Sequence, residues 1–141
     1  MAVIGAGAIG CELSQAFARF GSQVLLIEKK GQTLIREDRD AAKRVEKSLL
    51  RDGVTLIVDC NLLEIHKENG EKILRFDCGG DPAEHRVDEI LVGAGRAPNV
   101  QGLGLEATSV EYDVKKGVRV NDRLQTTNRR IYAAGDICFP H

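Results

Sequence analysis

Apolar and polar positions alternate along this chain with two periods in turn. Ala2 to Ile4 form a short apolar run that ends at Gly5. Residues 8–20 then carry Ile9, Leu13, Ala16, Phe17 and Phe20 at helical spacing, with Gly21 at the position of a helix C-cap. Residues 23–28, QVLLIE, are a continuous run rich in branched side chains, the pattern of a strand covered on both faces of a parallel sheet. Asp38 can cap a second helix whose apolar face is Ala42, Val45, Leu49 and Leu50, and Gly53 closes it. VTLIV at 54–58 is a third strand. Strand, helix, strand, helix, strand is one half of a doubly wound sheet.

Beyond residue 60 the period falls to two. LLEIHKENGEKILRF consists of two alternating runs joined at Asn69-Gly70, a dipeptide suited to a two-residue type I′ turn, which predicts an antiparallel hairpin. CGGDPAE reads as a loop, and DEILVGAGR as a further buried strand ending in glycines. After Pro98 only short strands at 117–120 and 131–134 are expected. The fold class is therefore α/β, a doubly wound parallel sheet with an antiparallel hairpin or meander insertion, organised as 1–97 and a return segment 98–141.

Composition narrows the function classes. The 141 residues suffice for one core burying roughly 68% of the unfolded surface. Twenty basic residues face 21 acidic ones, for a net charge of −1, and no run of Lys or Arg exceeds two. Neither a nucleic-acid footprint nor a polybasic membrane patch is visible. No apolar stretch approaches the roughly 18 residues of a membrane span, and no targeting segment opens the chain, so a cytoplasmic location is expected. Cys11, Cys60, Cys78 and Cys138 lie 49, 18 and 60 residues apart, with no C-x-x-C and no metal-ligand spacing to a histidine. They are expected to be reduced and buried, and no metal site is predicted.

The chemistry sits in the first turn. Gly5, Gly7 and Gly10 fit G-x-G-x-x-G between an apolar strand and an amphipathic helix, the Rossmann-like dinucleotide fingerprint. Gly5 permits the tight turn, Gly7 leaves room for a pyrophosphate, and Gly10 lets helix and strand approach. The backbone of Gly5, Ala6, Gly7, Ala8, Ile9 and Gly10 would face the anion at the positive end of the helix dipole. Glu28, eighteen residues after Gly10, is placed to accept hydrogen bonds from both hydroxyls of the adenosine ribose, which favours NAD(H) over NADP(H). Lys29 and Lys30 pull the other way.

Three segments together, GAGAIGCE at 5–12, GAGRAPN at 93–99 and TTNRRIYAAGD at 126–136, resemble in order and spacing the nicotinamide-dinucleotide domain of the pyridine nucleotide-disulfide oxidoreductases. These flavoproteins include lipoamide dehydrogenase, glutathione reductase and mercuric reductase. The resemblance implies that Glu12 faces the flavin side near the nicotinamide, that Gly95 admits the cofactor close to the backbone, and that Leu62 falls where lipoamide dehydrogenases contact the adenosine. It implies that Asp136 holds the ribityl chain of FAD in the intact protein, and that Ala8 stands where glutathione reductases carry an aromatic lid. It also implies an excised middle: the FAD domain with its redox-active cysteine pair, and the dimerisation domain of a homodimeric whole, lie outside this chain. No catalytic residue is then expected here. An NAD(H)-sensing or interaction module without catalysis is the rival reading. A self-sufficient dehydrogenase would need a Tyr-x-x-x-Lys spacing, which neither Tyr112 nor Tyr132 has.

Overall fold

The computed structural model describes residues 1–139. It divides into two compact units, Met1–Gly95 and Arg96 onward.

The first unit is built in three layers. Its central sheet holds β1 (Ala2–Ile4), β2 (Val24–Ile27), β3 (Val54–Ile57) and β7 (Ile90–Val92), all parallel, in the order β3-β2-β1-β7. Alternate side chains leave opposite faces of a strand, so each residue set meets a different layer. Val3, Val24 and Leu26 pack beneath α1 (Ala8–Arg19) and α2 (Arg39–Arg51) with Ala6, Cys11 and Leu49. Ala2, Leu25 and Ile27 pack against Leu74 and Phe76 of an antiparallel meander. That meander is β4 (Asn61–Glu68), β5 (Glu71–Asp77) and β6 (Pro82–Val87). Asn69 and Gly70 both take positive φ between β4 and β5, as a type I′ turn requires.

The second unit is a small three-stranded sheet, β8 (Tyr112–Asp113), β9 (Gly117–Arg119) and β10 (Cys138–Phe139), over a core of Val100, Val110 and Val118.

Several expectations are corrected. α1 buries only part of its predicted stripe: Phe17 is half-buried and packs on the core, whereas Ile9, Leu13 and the C-cap Phe20 are exposed, and Gly10, Cys11 and Ser14 are buried. The reason is distance. A Cβ on Gly10 would stand 1.9 Å from the Gly5 carbonyl oxygen, so only small residues fit between helix and sheet. On α2, Ala42 and Leu49 are buried, as the periodicity predicts, whereas Leu50 is exposed. Residues 78–84, read as a loop, instead lead into β6, whose charged residues on a strand edge obscured the alternation. β7 is an edge strand with Val92 exposed, not a strand buried on both faces. Residues 131–134 contribute an isolated bridge between Gln125 and Tyr132 and no strand. Cys60 and Cys78, expected as thiols, form a disulfide, while Cys11 and Cys138 are free and buried. Separation along the chain did not measure separation in space, because the β4–β5 hairpin folds one cysteine back onto the other. Among the described residues no helix is long and apolar enough to cross a membrane.

Candidate nucleotide site

The order β3-β2-β1-β7 places the change of winding direction at β1. The chain steps outward from β1 to β2 and β3, then returns to the other side of β1 as β7. In open parallel sheets, ligands bind at the carboxyl ends of the strands beside such a point. The glycine turn sits there.

Ala6 is the hub of this turn. Its N–H donates to Glu28 Oε2 at 2.7 Å, and its carbonyl accepts the Leu34 N–H at 2.7 Å and the Cys11 thiol at 3.4 Å. Gly5 N–H donates to the Ile27 carbonyl at 2.8 Å, and Gly93 N–H to the Ile4 carbonyl at 2.7 Å. The turn is thus held from β2, from β7 and from the loop before α2. α1 begins on Gly7 as N-cap, with no side chain capping it, and the first amides of the helix have no protein acceptor among the described residues.

The three fingerprint glycines have different reasons to be glycine. Gly5 has φ +95° and its Cβ would meet the Gly93 carbonyl oxygen at 2.8 Å. Gly10 is excluded from any side chain by the Gly5 carbonyl. Gly7 has an ordinary φ of −72°, and a Cβ there would meet nothing within 4 Å. Among the described residues, neither backbone conformation nor packing explains the glycine at 7. The space a side chain would fill lies beside the first amides of the helix.

Glu28 lies one residue past β2 and is half-buried, its two oxygens accepting from the Ala6 and Lys30 amides at 2.7 and 2.9 Å. A carboxylate offers about four lone-pair sites. Two therefore stay free for a diol. Lys29 and Lys30 are both exposed. Cys11 beneath the turn is an inert filler: burial above all, then the charges of Glu28, Glu46 and Glu12, push its thiol up to about 11.

The other predicted residues are dispersed. Glu12 is exposed in the second turn of α1. Leu62 is half-buried and packs on the cluster of Leu74 and Phe76. Gly95 has φ +128° with open space where a Cβ would lie. Asp136, in the second unit, is exposed and bonded to Arg96. Among the described residues no group of His, Cys, Asp and Glu could hold a metal ion. A cleft of about 900 Å³, lined in part by Met1, Phe17, Gln23 and Glu89, opens at the amino ends of the strands and contains no predicted site residue.

Sequence reasoning missed the latch that seats the loop before α2. Thr33 is fully buried, and its N–H donates to Glu46 Oε1 at 3.2 Å; Arg39 Nη1 reaches the same oxygen at 2.6 Å. Burial would raise the Glu46 carboxyl, but hydrogen bonds from Arg39 and Thr33 outweigh it and hold the group below the ordinary glutamate value. The latch delivers the Leu34 amide to Ala6. It carries no periodic signal, being two polar partners thirteen residues apart.

Comparison with known proteins bears on the family. The sequence profile of the Pyridine nucleotide-disulphide oxidoreductase family matches residues 1–141. The chain is 37% identical over 140 residues to a dihydrolipoyl dehydrogenase of Thermus scotoductus, covering 98% of this chain and 30% of that protein. It is 34% identical over 137 residues to a mercuric reductase of Lysinibacillus sphaericus, covering 97% and 25%. Among solved structures, the Cu(II) complex of the HOCl-induced flavoprotein disulfide reductase RclA from Escherichia coli superposes with a TM-score of 0.87 at 31% identity, over 96% of this chain and 30% of that one. The chain thus spans between a quarter and a third of the length of these relatives.

Proposed function

The chain belongs to the pyridine nucleotide-disulphide oxidoreductase family, and from that premise we propose that its work is to bind NAD(H) and present the nicotinamide to the flavin of the intact protein. The observation that carries this reading is Gly7: a glycine with ordinary φ and open space around it, beside unpartnered helix amides, at the switch point of the sheet.

The residues divide the labour. The amides of Ala8, Ile9 and Gly10 and the dipole of α1 take the pyrophosphate charge. Glu28, fixed by the Ala6 and Lys30 amides, takes the ribose hydroxyls with its remaining lone pairs. Gly95 keeps the backbone after β7 clear. A dinucleotide held by these residues would supply hydride chemistry, passed in the intact protein to flavin and on to a disulfide or similar acceptor. FAD and dimerisation domains of the same polypeptide complete the protein in this reading, with Asp136 turned toward FAD and Glu12 toward the nicotinamide side.

Titration of NADH into the wild-type chain and into Gly7→Val tests the reading. The variant is expected to keep its circular dichroism and thermal midpoint while its affinity falls at least a hundredfold, because a branched side chain occupies the pyrophosphate's place. Unchanged affinity refutes it.

A further inference from the structure

Cys60 and Cys78 are joined with their Cα atoms 4.3 Å apart, the separation of directly opposed residues in a non-hydrogen-bonded antiparallel pair. They continue the β4–β5 ladder one step beyond Asn61 and Asp77. Their meeting depends on the irregularity between Leu62 and Glu64. If the register of Glu68 with Glu71 ran on without it, Cys60 would face Gly79. The bulge is what makes the bond.

The two sulfurs differ in surroundings. Cys60 is 1% exposed and packs with Leu25, Ile27 and Phe76. Cys78 is half-buried and is followed by the exposed turn of Gly79 and Gly80. An attacking thiolate therefore has access from the Cys78 side.

The bond also adjoins the nucleotide site. Residues 57–60 run along residues 28–30 as a backbone splint: Glu28 N–H donates to the Ile57 carbonyl at 2.8 Å, Cys60 N–H to the Glu28 carbonyl at 3.1 Å, and Asp59 N–H to the Lys30 carbonyl at 3.1 Å. Lys30 in turn supplies one of the two amides that orient the Glu28 carboxylate. Asp59 keeps a left-handed φ of +59°, a conformation that a non-glycine residue adopts at a cost and retains where its neighbours hold it. The adjacent disulfide is such a restraint.

We infer that Cys60–Cys78 is a redox site that sets how firmly Glu28 grips the dinucleotide. The inference rests on the nucleotide reading above. In the reductive step a dithiol thiolate attacks Cys78 Sγ, the sulfur–sulfur bond breaks, and Cys60 leaves as a thiolate that takes up a proton. The second thiol of the reductant then displaces Cys78. The protein gains two electrons and two protons to give two thiols, and the dithiol is oxidised to its own disulfide. Released from the bond, Asp59 leaves its left-handed conformation, the splint on residues 28–30 loosens, and the carboxylate loses its fixed aim. Coupling of this kind is reciprocal, so bound NADH protects the disulfide by the same factor.

The test is NADH titration of the oxidised chain and of the chain reduced with excess dithiothreitol. Affinity is expected to fall about fivefold on reduction, the lower end of ordinary coupling between sites. Saturating NADH is expected to lower the reduction potential of the pair by about 20 mV, that same fivefold written for a two-electron couple. Cys60→Ser/Cys78→Ser should bind as the reduced chain does and ignore dithiothreitol, which separates this pair from Cys11 and Cys138. Should that variant not fold, the wild type with and without dithiothreitol still decides. Equal NADH affinity in both redox states overturns the switch and leaves the nucleotide reading standing. No NADH binding by the oxidised chain overturns that reading and the switch with it. Loss of far-ultraviolet circular dichroism on reduction makes the bond a staple and overturns the switch, as does finding four alkylatable thiols in the denatured chain before reduction.

Discussion

The glycine turn and the surroundings of Asp136 make opposite kinds of site. At the turn, almost every contact is backbone: amides of Gly5, Ala6, Leu34 and Gly93 each meet a partner at 2.7–2.8 Å, and the one carboxylate involved is aimed by two amides. At Asp136 the carboxylate lies at the surface of a different unit and meets one exposed guanidinium, that of Arg96. A site fixed by backbone is fixed wherever the fold forms. A site made of two exposed side chains takes its geometry from whatever is laid over it.

The sharpest way to break this contrast is to spoil the backbone. Gly10→Ala puts a Cβ 1.9 Å from the Gly5 carbonyl oxygen, an atom that neither rotates nor yields without moving β1. Because the clash is with main chain, the loss is expected at the large end for single substitutions, on the order of 4 kcal/mol. Urea unfolding measures it. A loss below 1 kcal/mol would show that helix and sheet can separate there, and the rigidity claimed for the turn would go with it.

The next effect belongs to the one side chain of the turn. If Glu28 meets the ribose, a 2′-phosphate brings two like charges within about 4 Å, worth on the order of 4 kcal/mol at an effective dielectric near 20. Solvent screening at a half-buried group reduces this to about 1–3 kcal/mol, or roughly ten- to a hundredfold in favour of NADH. Glu28→Ala is expected to close that gap chiefly by improving NADPH binding. Calorimetry with both nucleotides decides, and tighter NADPH binding by the wild type would show that the exposed Lys29 and Lys30 read the ribose instead.

The latch behind the turn yields a pH-dependent prediction. Glu46 is held below the ordinary glutamate value of 4.5. In the acid range the unfolded chain therefore binds more protons than the folded one. The contribution is complete above pH 4.5 and is lost as pH falls through the depressed folded value. Arg39→Ala is expected to cost about 1 kcal/mol near neutrality. The difference from wild type should shrink as pH falls through that depressed value and vanish once Glu46 is protonated in both proteins. Unfolding midpoints followed from pH 7 down through the acid range test this. A constant difference would mean that Arg39 acts through its packing and not through its charge.

The same contrast explains what could be read from sequence. β1, α1, β2, α2 and β3 were legible because each carries its own period or cap, and Asp38 does accept the Asp40 amide as the cap predicts. Asn69-Gly70 announced its turn because both residues must take positive φ. The face of α1 was only partly legible: Phe17 packs on the core as its spacing predicts, but close approach selected Gly10, Cys11 and Ser14 over Ile9 and Leu13. The disulfide escaped because a one-residue bulge, invisible in composition, sets the register of Cys60 and Cys78. A nearly symmetric placement of both cysteines about Asn69-Gly70 was the available signal. Thr33 and Glu46 found each other across a loop without any pattern to betray them.

The smallest effect is expected at the other pole. Arg96 and Asp136 expose 68% and 76% of their side chains, and an ion pair so open to water gains little from attraction that solvent and salt already screen. Arg96→Ala should change stability by less than about 0.5 kcal/mol. It should equally leave the chain without flavin. One carboxylate at the surface supplies neither the glycine turn and helix end that take a pyrophosphate nor an enclosure for an isoalloxazine ring. The chain and the variant, incubated with FAD and desalted, are both expected to show no band in the flavin region of the visible spectrum. A stoichiometric band in the wild type that disappears in Arg96→Ala would reverse the contrast, making this surface pair a formed site as specific as the turn.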